Sequence, residues 1–386
     1  MVRPRPLERF RAYAPWLALG SGLIGFHLFL LRISPKFTDA VPLAEQPVWW
    51  FVGPSLAAGG FILLLPRLAA RKAGTGLLLW VLLVGIALRV IMLPSTAILE
   101  SDFNRYLWDG AVLAEGLNPY SNSPQEVIDN LKERDTTLTA LAVESKGIVA
   151  RFNYPELRTV YPPLAQGFFA LSHWLGPWSL EVWRAVLIAA ELATFALLVL
   201  LLGELGRSPL WAALYWWHPL AVKEAINSAH MDALLLPFLL GALLLALRGR
   251  GLWATGALAL AAGVKLWPVL LLPLFLRPML DRPRRLAAAL GLFALLLLAL
   301  YSPVFAAGFD WSSGFIAYAR YWQMNDALFM SLLWTLEGLG ALFAWDGAAS
   351  RLAARVIMLS AIVGLALWLA RKPGRDAGAF VERCLL

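Results

Sequence analysis

Cysteine and histidine are scarce in this chain of 386 residues. The one cysteine, Cys384, excludes an intramolecular disulfide and any metal site built from several cysteines. The four histidines are scattered without the spacing of metal ligands: His27, His173, His218 and His230. Internal repeats and low-complexity linkers are lacking as well. The sequence therefore predicts one domain, residues 1–386, without an intramolecular disulfide or a cysteine-based metal cage.

Charge is also scarce, at 15% of the residues, whereas hydrophobic residues make up 60% and the mean hydropathy is +0.67. The long runs rich in Leu and Ala lack the alternation of an outer-membrane barrel, and an open sheet cannot satisfy its edges in hydrocarbon. The composition therefore predicts an all-α, polytopic membrane helical bundle. We expect no cleavable signal peptide, because the first apolar run lacks a small-residue cleavage site and further spans follow it.

Apolar runs bounded by charges predict about ten spans, several of them shorter than the ~20 residues of a full crossing. They lie near residues 13–31, 47–66, 76–93, 179–203, 210–222, 231–247, 252–264, 267–277, 286–305 and 352–370.

The net charge of +8 resides in short basic clusters between these runs, which argues against a nucleic-acid partner. Such clusters orient spans, and all of them fall on one side if the N-terminus is cytoplasmic. The clusters consist of Arg3, Arg5, Arg9, Arg11, Arg67, Arg71, Lys72, Arg248, Arg250, Arg277, Arg282, Arg284, Arg285, Arg371, Lys372 and Arg375.

Residues 94–160 then form an outer loop that carries more acidic than basic residues. A connector of this length is usually functional or disordered, and its Gly, Pro and aromatic content favours order. The short apolar segment 161–177 predicts an interfacial helix with Phe168, Phe169 and Trp174 on its lipid face. We thus expect an external loop with interfacial helices over 94–178, and we interpret 327–345 as interfacial too.

The densest polar stretch, Glu100–Gly110, begins a few residues beyond the end of the third predicted span. Asp102 is either a general base at the membrane boundary, where partial desolvation and a nearby cation tune its pKa, or a solvated loop charge. In extended chain the carboxylates of Glu100 and Asp102 share a face and could hold one cation or one proton. As a metal signal this pair is weak.

A second polar cluster, Lys223–Asp232, lies between two short predicted spans on the same outer side and could line the same pocket. An ordinary loop between spans is the alternative, but the density of ionisable groups favours function. Lys265 lies where a helix is interrupted at membrane depth; it either meets an anionic partner such as phosphate or snorkels to the interface. Arg320 stands among aromatic residues suited to sugar stacking or to a membrane belt. We expect Arg89 to snorkel outward.

All these polar clusters lie at the outer ends of spans, whereas the inner side shows only orienting charges. A carrier working by alternating access would be expected to have polar groups near the bilayer midplane and often repeated halves. The asymmetry therefore favours an outward-facing enzyme over a transporter.

Five short motifs follow one another along residues 75–375: Asp102-x-x-Arg105-Tyr-Leu-Trp-Asp109-Gly, Gly116-x-Asn-Pro-Tyr120, Tyr161-Pro-Pro-Leu164, Glu224 followed by His230-x-Asp232, and Gly263-Val-Lys265-x-x-Pro268. In this order they resemble the GT-C glycosyltransferases, in particular the bacterial polyprenol-phosphate-mannose-dependent mannosyltransferases.

The resemblance implies an inverting transfer of a hexose, with mannose favoured, from a polyprenyl-phosphate donor to a lipid or glycan acceptor. Asp102 matches the family's catalytic carboxylate. Cations would stabilise the leaving polyprenyl phosphate. The further residues implied in substrate binding are Glu100, Arg105, Tyr106, Asp109, Asn118, Tyr120, Tyr161, Lys223, Glu224, His230, Asp232, Lys265 and Arg320.

Two departures from the family pattern bear on these expectations. Relatives often have adjacent carboxylates or an Asp-x-Asp in the first external loop, whereas here Ser101 and Asn104 occupy the neighbouring places. We therefore expect no cofactor, and a divalent metal stays open. The C-terminus is expected to be truncated relative to the family, because the chain stops at Leu386 where a further span would begin.

The resemblance places the protein in a bacterial inner membrane, among membrane lipids, with its active site facing the periplasm or exterior. A flippase or transporter of lipid-linked glycans is the alternative from another class. A non-catalytic truncated relative is the third reading.

Overall fold

The computed structural model describes residues 6–38, 41–70, 74–130, 137–322, 326–341, 346–371 and 377–385. Throughout these ranges regular structure is helical and no strand occurs, so the predicted all-α class is confirmed. Six of the orienting charges lie outside the described residues: Arg3, Arg5, Arg71, Lys72, Lys372 and Arg375.

Nineteen α-helices follow one another along these ranges. They are α1 Pro6–Ile33, α2 Val48–Ile62, α3 Leu65–Ala69, α4 Thr75–Met92, α5 Phe103–Ala114, α6 Pro124–Asp129, α7 Thr137–Glu144, α8 Pro163–Leu175, α9 Leu180–Glu204, α10 Ala213–Trp216, α11 Pro219–Val222, α12 Leu235–Leu247, α13 Gly251–Val264, α14 Leu272–Leu276, α15 Pro283–Ala307, α16 Gly314–Tyr321, α17 Ala327–Gly340, α18 Gly347–Arg371 and α19 Ala377–Leu385. Short 3-10 segments cover Ser34–Phe37, Leu43–Glu45, Val149–Arg151, Pro209–Ala212, Met231–Leu234, Trp267–Leu271 and Arg277–Met279, and Lys223–Asn227 forms a π-helical turn.

Five stretches are long and apolar enough to cross a membrane: Tyr13–Phe37, Val48–Ala69, Leu180–Glu204, Pro283–Ala307 and Gly347–Arg371. Pro219–Asn227 and Met231–Leu247 together form a sixth candidate, bent by 104°. Four shorter apolar helices add to these: Gly76–Met92, Gly251–Val264, Trp267–Met279 and Ala327–Gly340. The protein is thus a polytopic helical membrane protein, and the expected count of ten spans is not confirmed.

The predicted continuous span 210–222 is wrong. Its residues divide into a 3-10 turn and the short helices α10 and α11, because Pro219 has no N–H to carry a helix through this point. α11 then runs into the π-helical turn Lys223–Asn227, a kind of local widening that is frequent at functional sites. The break that follows places polar residues 223–232 at an internal bend.

The loop over residues 94–160 carries α5, α6 and α7, and α5 packs along α8. Phe169 of α8 is buried in this contact, where its ring stacks on Tyr106 with centroids 4.7 Å apart and meets Trp183 edge-on at 5.1 Å. The prediction that Phe169 faces lipid is therefore wrong, because α5 covers that side of α8. Trp174 on the same helix is exposed.

Gly110 allows α5 to approach α8 closely. A Cβ added there would lie 2.4 Å from the carbonyl oxygen of Phe169, so we expect Gly110→Ala to destabilise the protein by about 1–3 kcal/mol. Gly167→Ala on α8 is the matched control, because a Cβ there meets nothing within 4 Å and the change adds up to about 1 kcal/mol of helix propensity. Equilibrium unfolding in mixed micelles measures both, and equal effects would contradict this account of the helix contact.

Arg89 of α4 is fully buried, so the expectation that it snorkels outward is wrong. Its guanidinium pairs with Glu191 of α9 at 2.5 Å and donates to the carbonyl oxygens of Gly85 and Trp216 at 3.0 and 2.9 Å. It also lies 3.5 Å from the centroid of the Trp216 ring. The sequence signal failed because the carboxylate partner is 102 residues further along the chain.

Candidate functional site

The candidate site lies where the chain leaves α4 and where the segment after α11 bends. Leu99 adopts a left-handed conformation, φ 55°, directly before Glu100. A non-glycine residue in this region is strained and persists only where the surroundings hold it. Here Asn227, the last residue of the π-helical turn, accepts from the Ile98 N–H at 2.9 Å and donates to the Ser95 hydroxyl at 2.8 Å and the Thr96 carbonyl at 2.7 Å.

The first turn of α9 supports the same junction from behind. The buried guanidinium of Arg184 donates to the carbonyl oxygens of Leu93, Ser95 and Asn227. The indole N–H of Trp183 donates to the Ala229 carbonyl at 2.8 Å. These bonds satisfy backbone groups that the helix breaks leave unpaired, which is the condition for irregular backbone at membrane depth.

A chain of four charged side chains crosses the junction. The Nε2 of His230 lies 2.6 Å from Glu100 Oε2, and its Nδ1 lies 3.0 Å from Glu224 Oε2. Lys223 Nζ donates to the other oxygen of Glu224 at 3.0 Å and lies 5.7 Å from the centroid of Phe51. An imidazole that faces a carboxylate with each nitrogen donates from both, which makes His230 an imidazolium.

Glu100 is bonded on both of its oxygens. Oε1 accepts from the backbone N–H groups of Ser101 and Asp102, both at 2.8 Å, while Oε2 holds His230. Burial would raise the pKa of Glu100, but the hydrogen bonds from His230 and from these two N–H groups outweigh it and lower the pKa to about 2. Glu100 is therefore a fixed negative charge beside Asp102.

Asp102 is the residue directly before α5, and its environment shifts its pKa in the direction opposite to that of Glu100. Burial and the neighbouring charge of Glu100 raise its pKa, while His230, a hydrogen bond from Tyr161 and Arg105 offset part of the rise. The two carboxylates of this junction thus differ in role, since one stays ionised and the other takes up a proton more readily. Such a pair separates the acid–base assignments of a site.

Two other predicted residues of α5, Arg105 and Asp109, bond to protein groups around Asp102. Arg105 pairs with Asp109 at 3.0 Å and donates to the Leu157 carbonyl at 3.0 Å. Asp109 also accepts from Gln166 of α8 at 3.1 Å. The polar groups of Arg105 and Asp109 are thus engaged by protein partners.

Two further predicted residues tie the loop after α5 to its neighbours. Asn118 donates to the Pro303 carbonyl at 2.8 Å and accepts from the Tyr120 N–H at 3.0 Å. The Tyr120 hydroxyl donates to the Tyr161 carbonyl at 2.7 Å. The rings of Tyr106 and Tyr161 meet edge to face with centroids 4.8 Å apart, beside Asp102.

Lys265 and Asp232 form a separate pair near the bend. Lys265 caps the C-terminal end of α13, and its ammonium bonds the carboxylate of Asp232, with both side chains partly exposed. Arg320 lies exposed on α16, where its backbone carbonyl accepts from Arg355. Within the described ranges, no ion pair links Arg320 to the carboxylates of the junction.

Glu100, Asp102 and His230 offer ligand atoms within 4.8 Å of one another, a grouping that the scattered histidines of the sequence did not indicate. A metal ligand needs a free imidazole lone pair, whereas both nitrogens of His230 face carboxylates. As they stand, the donors fit an ion-pair network better than a metal centre.

Sequence reasoning did not find Arg184 or Gln166, although both bind the framework of the site. An arginine in the first turn of a long apolar run was the available signal, because such a residue needs a partner.

The sequence profile of glycosyltransferase family 87 matches residues 159–385, more than half of the chain. The chain therefore belongs to glycosyltransferase family 87, in keeping with the resemblance to GT-C membrane glycosyltransferases. The matched region includes the Lys223–Asp232 cluster and Lys265 but begins after Asp102. No curated protein and no solved structure matches the chain.

Proposed function

We propose that this glycosyltransferase moves a hexose, with mannose favoured, from a polyprenyl-phosphate donor to a lipid or glycan acceptor, with Asp102 as the general base. The observation that carries the proposal is the unequal pair Glu100 and Asp102. Asp102 is partly buried with a raised pKa, and a permanently charged carboxylate beside it strengthens its affinity for a proton.

In the proposed step an acceptor hydroxyl oxygen attacks the anomeric carbon from the face opposite the phosphate. The hydroxyl proton passes to Asp102, the new C–O bond forms, and the anomeric C–O bond to phosphate breaks. The electron pair of that bond leaves with the polyprenyl phosphate, so the anomeric configuration inverts.

Cations beside the leaving phosphate would stabilise its developing charge without protonating it. Lys265 is the first candidate, because its ammonium is partly exposed and bonded to a carboxylate that can exchange for phosphate. Lys223 is more enclosed and already holds Glu224, and Arg320 is the third candidate. His230 would act on the phosphate through the charge of its imidazolium, because Glu100 and Glu224 engage both of its nitrogens, and Asp232 would bind the sugar.

The same proposal gives the protein a bacterial inner-membrane location with a cytoplasmic N-terminus and an outward site. Two features support this topology: the basic clusters all fall on the side of the N-terminus, and the 94–160 loop is acidic. The chain would then act as one membrane domain with an external loop over 94–178.

The direct test is purified protein in nanodiscs with radiolabelled polyprenyl-phosphomannose, and polyprenyl-phosphoglucose as the second donor. We expect transfer to acceptor lipid extract, or slow hydrolysis without it, to be faster with the mannosyl donor. Donor binding without turnover of either donor would contradict the proposed activity and favour a carrier.

The pH dependence of kcat/KM tests the assignment of the base. Only the deprotonated form of Asp102 accepts a proton, so the rate should fall as the pH drops through its raised pKa, by about tenfold per pH unit below it. Glu100, with a pKa of about 2, remains ionised across this range. An acid limb at or below the ordinary aspartate value of 3.8 would contradict the assignment.

A further inference from the structure

Three aromatic side chains form a surface platform beside the site: Tyr154, Tyr318 and Trp322. The ring of Tyr154 meets Trp322 at 66° with centroids 4.7 Å apart, and Trp322 stacks on Tyr318 at 22° with centroids 5.9 Å apart. Tyr154 and Tyr318 remain 53% and 54% exposed despite these contacts. Their free faces therefore stay available to a ligand.

The loop that carries Tyr154 is fixed directly to the junction of the site. Asn153 Nδ2 donates to the Ser101 hydroxyl at 2.9 Å, one residue before Asp102. The Leu157 carbonyl accepts from Arg105 at 3.0 Å, and the Pro155 carbonyl accepts from the Gln125 N–H at 2.8 Å. The platform is thus coupled to the segment that positions the base.

A second set of bonds joins this loop to the segment before α16. Arg158 pairs with Asp310 at 2.8 Å and donates to the carbonyl oxygens of Ala307 and Gly308. The backbone N–H of Arg158 donates to the Ser312 carbonyl at 2.8 Å. These bonds bring the two halves of the platform together from distant parts of the sequence.

Tyr154 itself adopts a left-handed backbone conformation, φ 57°, which is strained for a residue with an aromatic side chain. Strain of this kind clusters at ligand-binding positions, where the surroundings enforce it. Glycine would relieve the strain but would present no ring. The exposed tyrosine at this position therefore carries a cost in backbone free energy.

We propose that the platform of Tyr154, Tyr318 and Trp322 binds a saccharide ring of the acceptor, which makes the acceptor a glycan or a glycolipid with an exposed sugar. The apolar C–H face of a pyranose carries partial positive charge that meets the negative face of an aromatic ring. Exposed polar groups on the same segments, Glu156 and Arg320, are suited to sugar hydroxyls, whereas a lipid chain would use neither. This inference rests on the proposed function, because the sugar is bound beside Asp102 as its substrate.

The test uses saturation-transfer NMR on the full chain in nanodiscs, with methyl α-mannopyranoside, methyl α-glucopyranoside and the corresponding α-linked disaccharides as probes. We expect saturation of ring C–H protons in at least one probe with the wild type. Tyr154→Gly suits the native φ and removes the ring alone, and it should weaken binding about fivefold or more, as should Trp322→Ala. Tyr154→Phe should retain the binding.

Trp49→Ala is the matched control, because Trp49 is an exposed aromatic residue on α2, the helix whose Phe51 contacts Lys223. Its loss should leave saccharide binding unchanged. The proposal is overturned if no probe binds the wild type, if Tyr154→Gly and Trp322→Ala bind like it, or if Trp49→Ala weakens binding equally.

Asp102→Asn in the same experiment separates this proposal from the proposed function. A variant that binds saccharide through the platform and yet retains full transfer would refute the role of Asp102 and leave the acceptor site standing. If Asp102→Asn loses transfer and saccharide binding is unchanged by Tyr154→Gly, only the role of the platform is refuted.

Discussion

Asp102→Asn should reduce the rate of sugar transfer by about 10²–10⁴-fold while donor binding is retained. The amide has nearly the same shape as the carboxylate but cannot accept the hydroxyl proton. The backbone N–H of Asp102, which Glu100 holds at 2.8 Å, is unchanged by the substitution. The measurements are single-turnover transfer from polyprenyl-phosphomannose and equilibrium donor binding.

Asp129→Asn is the control for this experiment. Asp129 is an exposed carboxylate of α6 that accepts a hydrogen bond from Gln125, away from the junction of charges. Its substitution should leave transfer unchanged. Equal rates for Asp102→Asn and the wild type would show that another group takes the proton.

Glu191→Leu should destabilise the protein by about 3–5 kcal/mol, the largest effect on stability that we expect. Both members of the Arg89–Glu191 pair have fully buried side chains, so removal of the carboxylate leaves a guanidinium without its counter-charge. The Tyr215 hydroxyl, which donates to Glu191, loses its acceptor as well. Equilibrium unfolding in mixed micelles measures the change in the free energy of unfolding.

The double variant Arg89→Leu, Glu191→Leu tests whether the two charges stabilise the protein by pairing directly. It removes both charges, and a buried ion pair replaced by apolar side chains of similar volume often costs little. The double variant should therefore be more stable than Glu191→Leu alone. A double variant that is less stable by the sum of the two single effects would contradict a direct pairing of these residues.

The class of fold could be predicted from composition and apolar runs, because lipid permits few backbone solutions. The direction in which individual side chains point could not be predicted in the same way. An apolar residue on a surface helix, such as Phe169, is compatible with either hydrocarbon or protein, and only the close approach of α5 decides between them. A charge late in an apolar run, such as Arg89, indicates snorkelling when no counter-charge is near in sequence, and its partner Glu191 lies on a helix that sequence distance does not reveal.

At the candidate site, the residues involved could be predicted better than their roles. The sequence indicates Glu100, Asp102 and the cluster that contains His230 as candidates. In the structure the Nε2 of His230 lies 2.6 Å from Glu100 Oε2. The sequence also suggests that Glu100 and Asp102 share a face in extended chain. Ligand atoms of the two carboxylates do lie within 4.8 Å of each other, but Glu100 also turns back onto the N–H groups of Ser101 and Asp102, after a left-handed Leu99 that no local pattern indicates.

The bond between Asn227 and Ser95 joins positions that are 132 residues apart, and this separation has a consequence during synthesis. At about 5–20 residues per second a ribosome needs roughly 7–26 seconds to make that stretch. Throughout this interval the nascent segment with Glu100 and Asp102 lacks its contact to His230 and its bonds to Asn227. The junction of Glu100, Asp102 and His230 can therefore assemble only after the bent segment, residues 219–247, has been made and inserted.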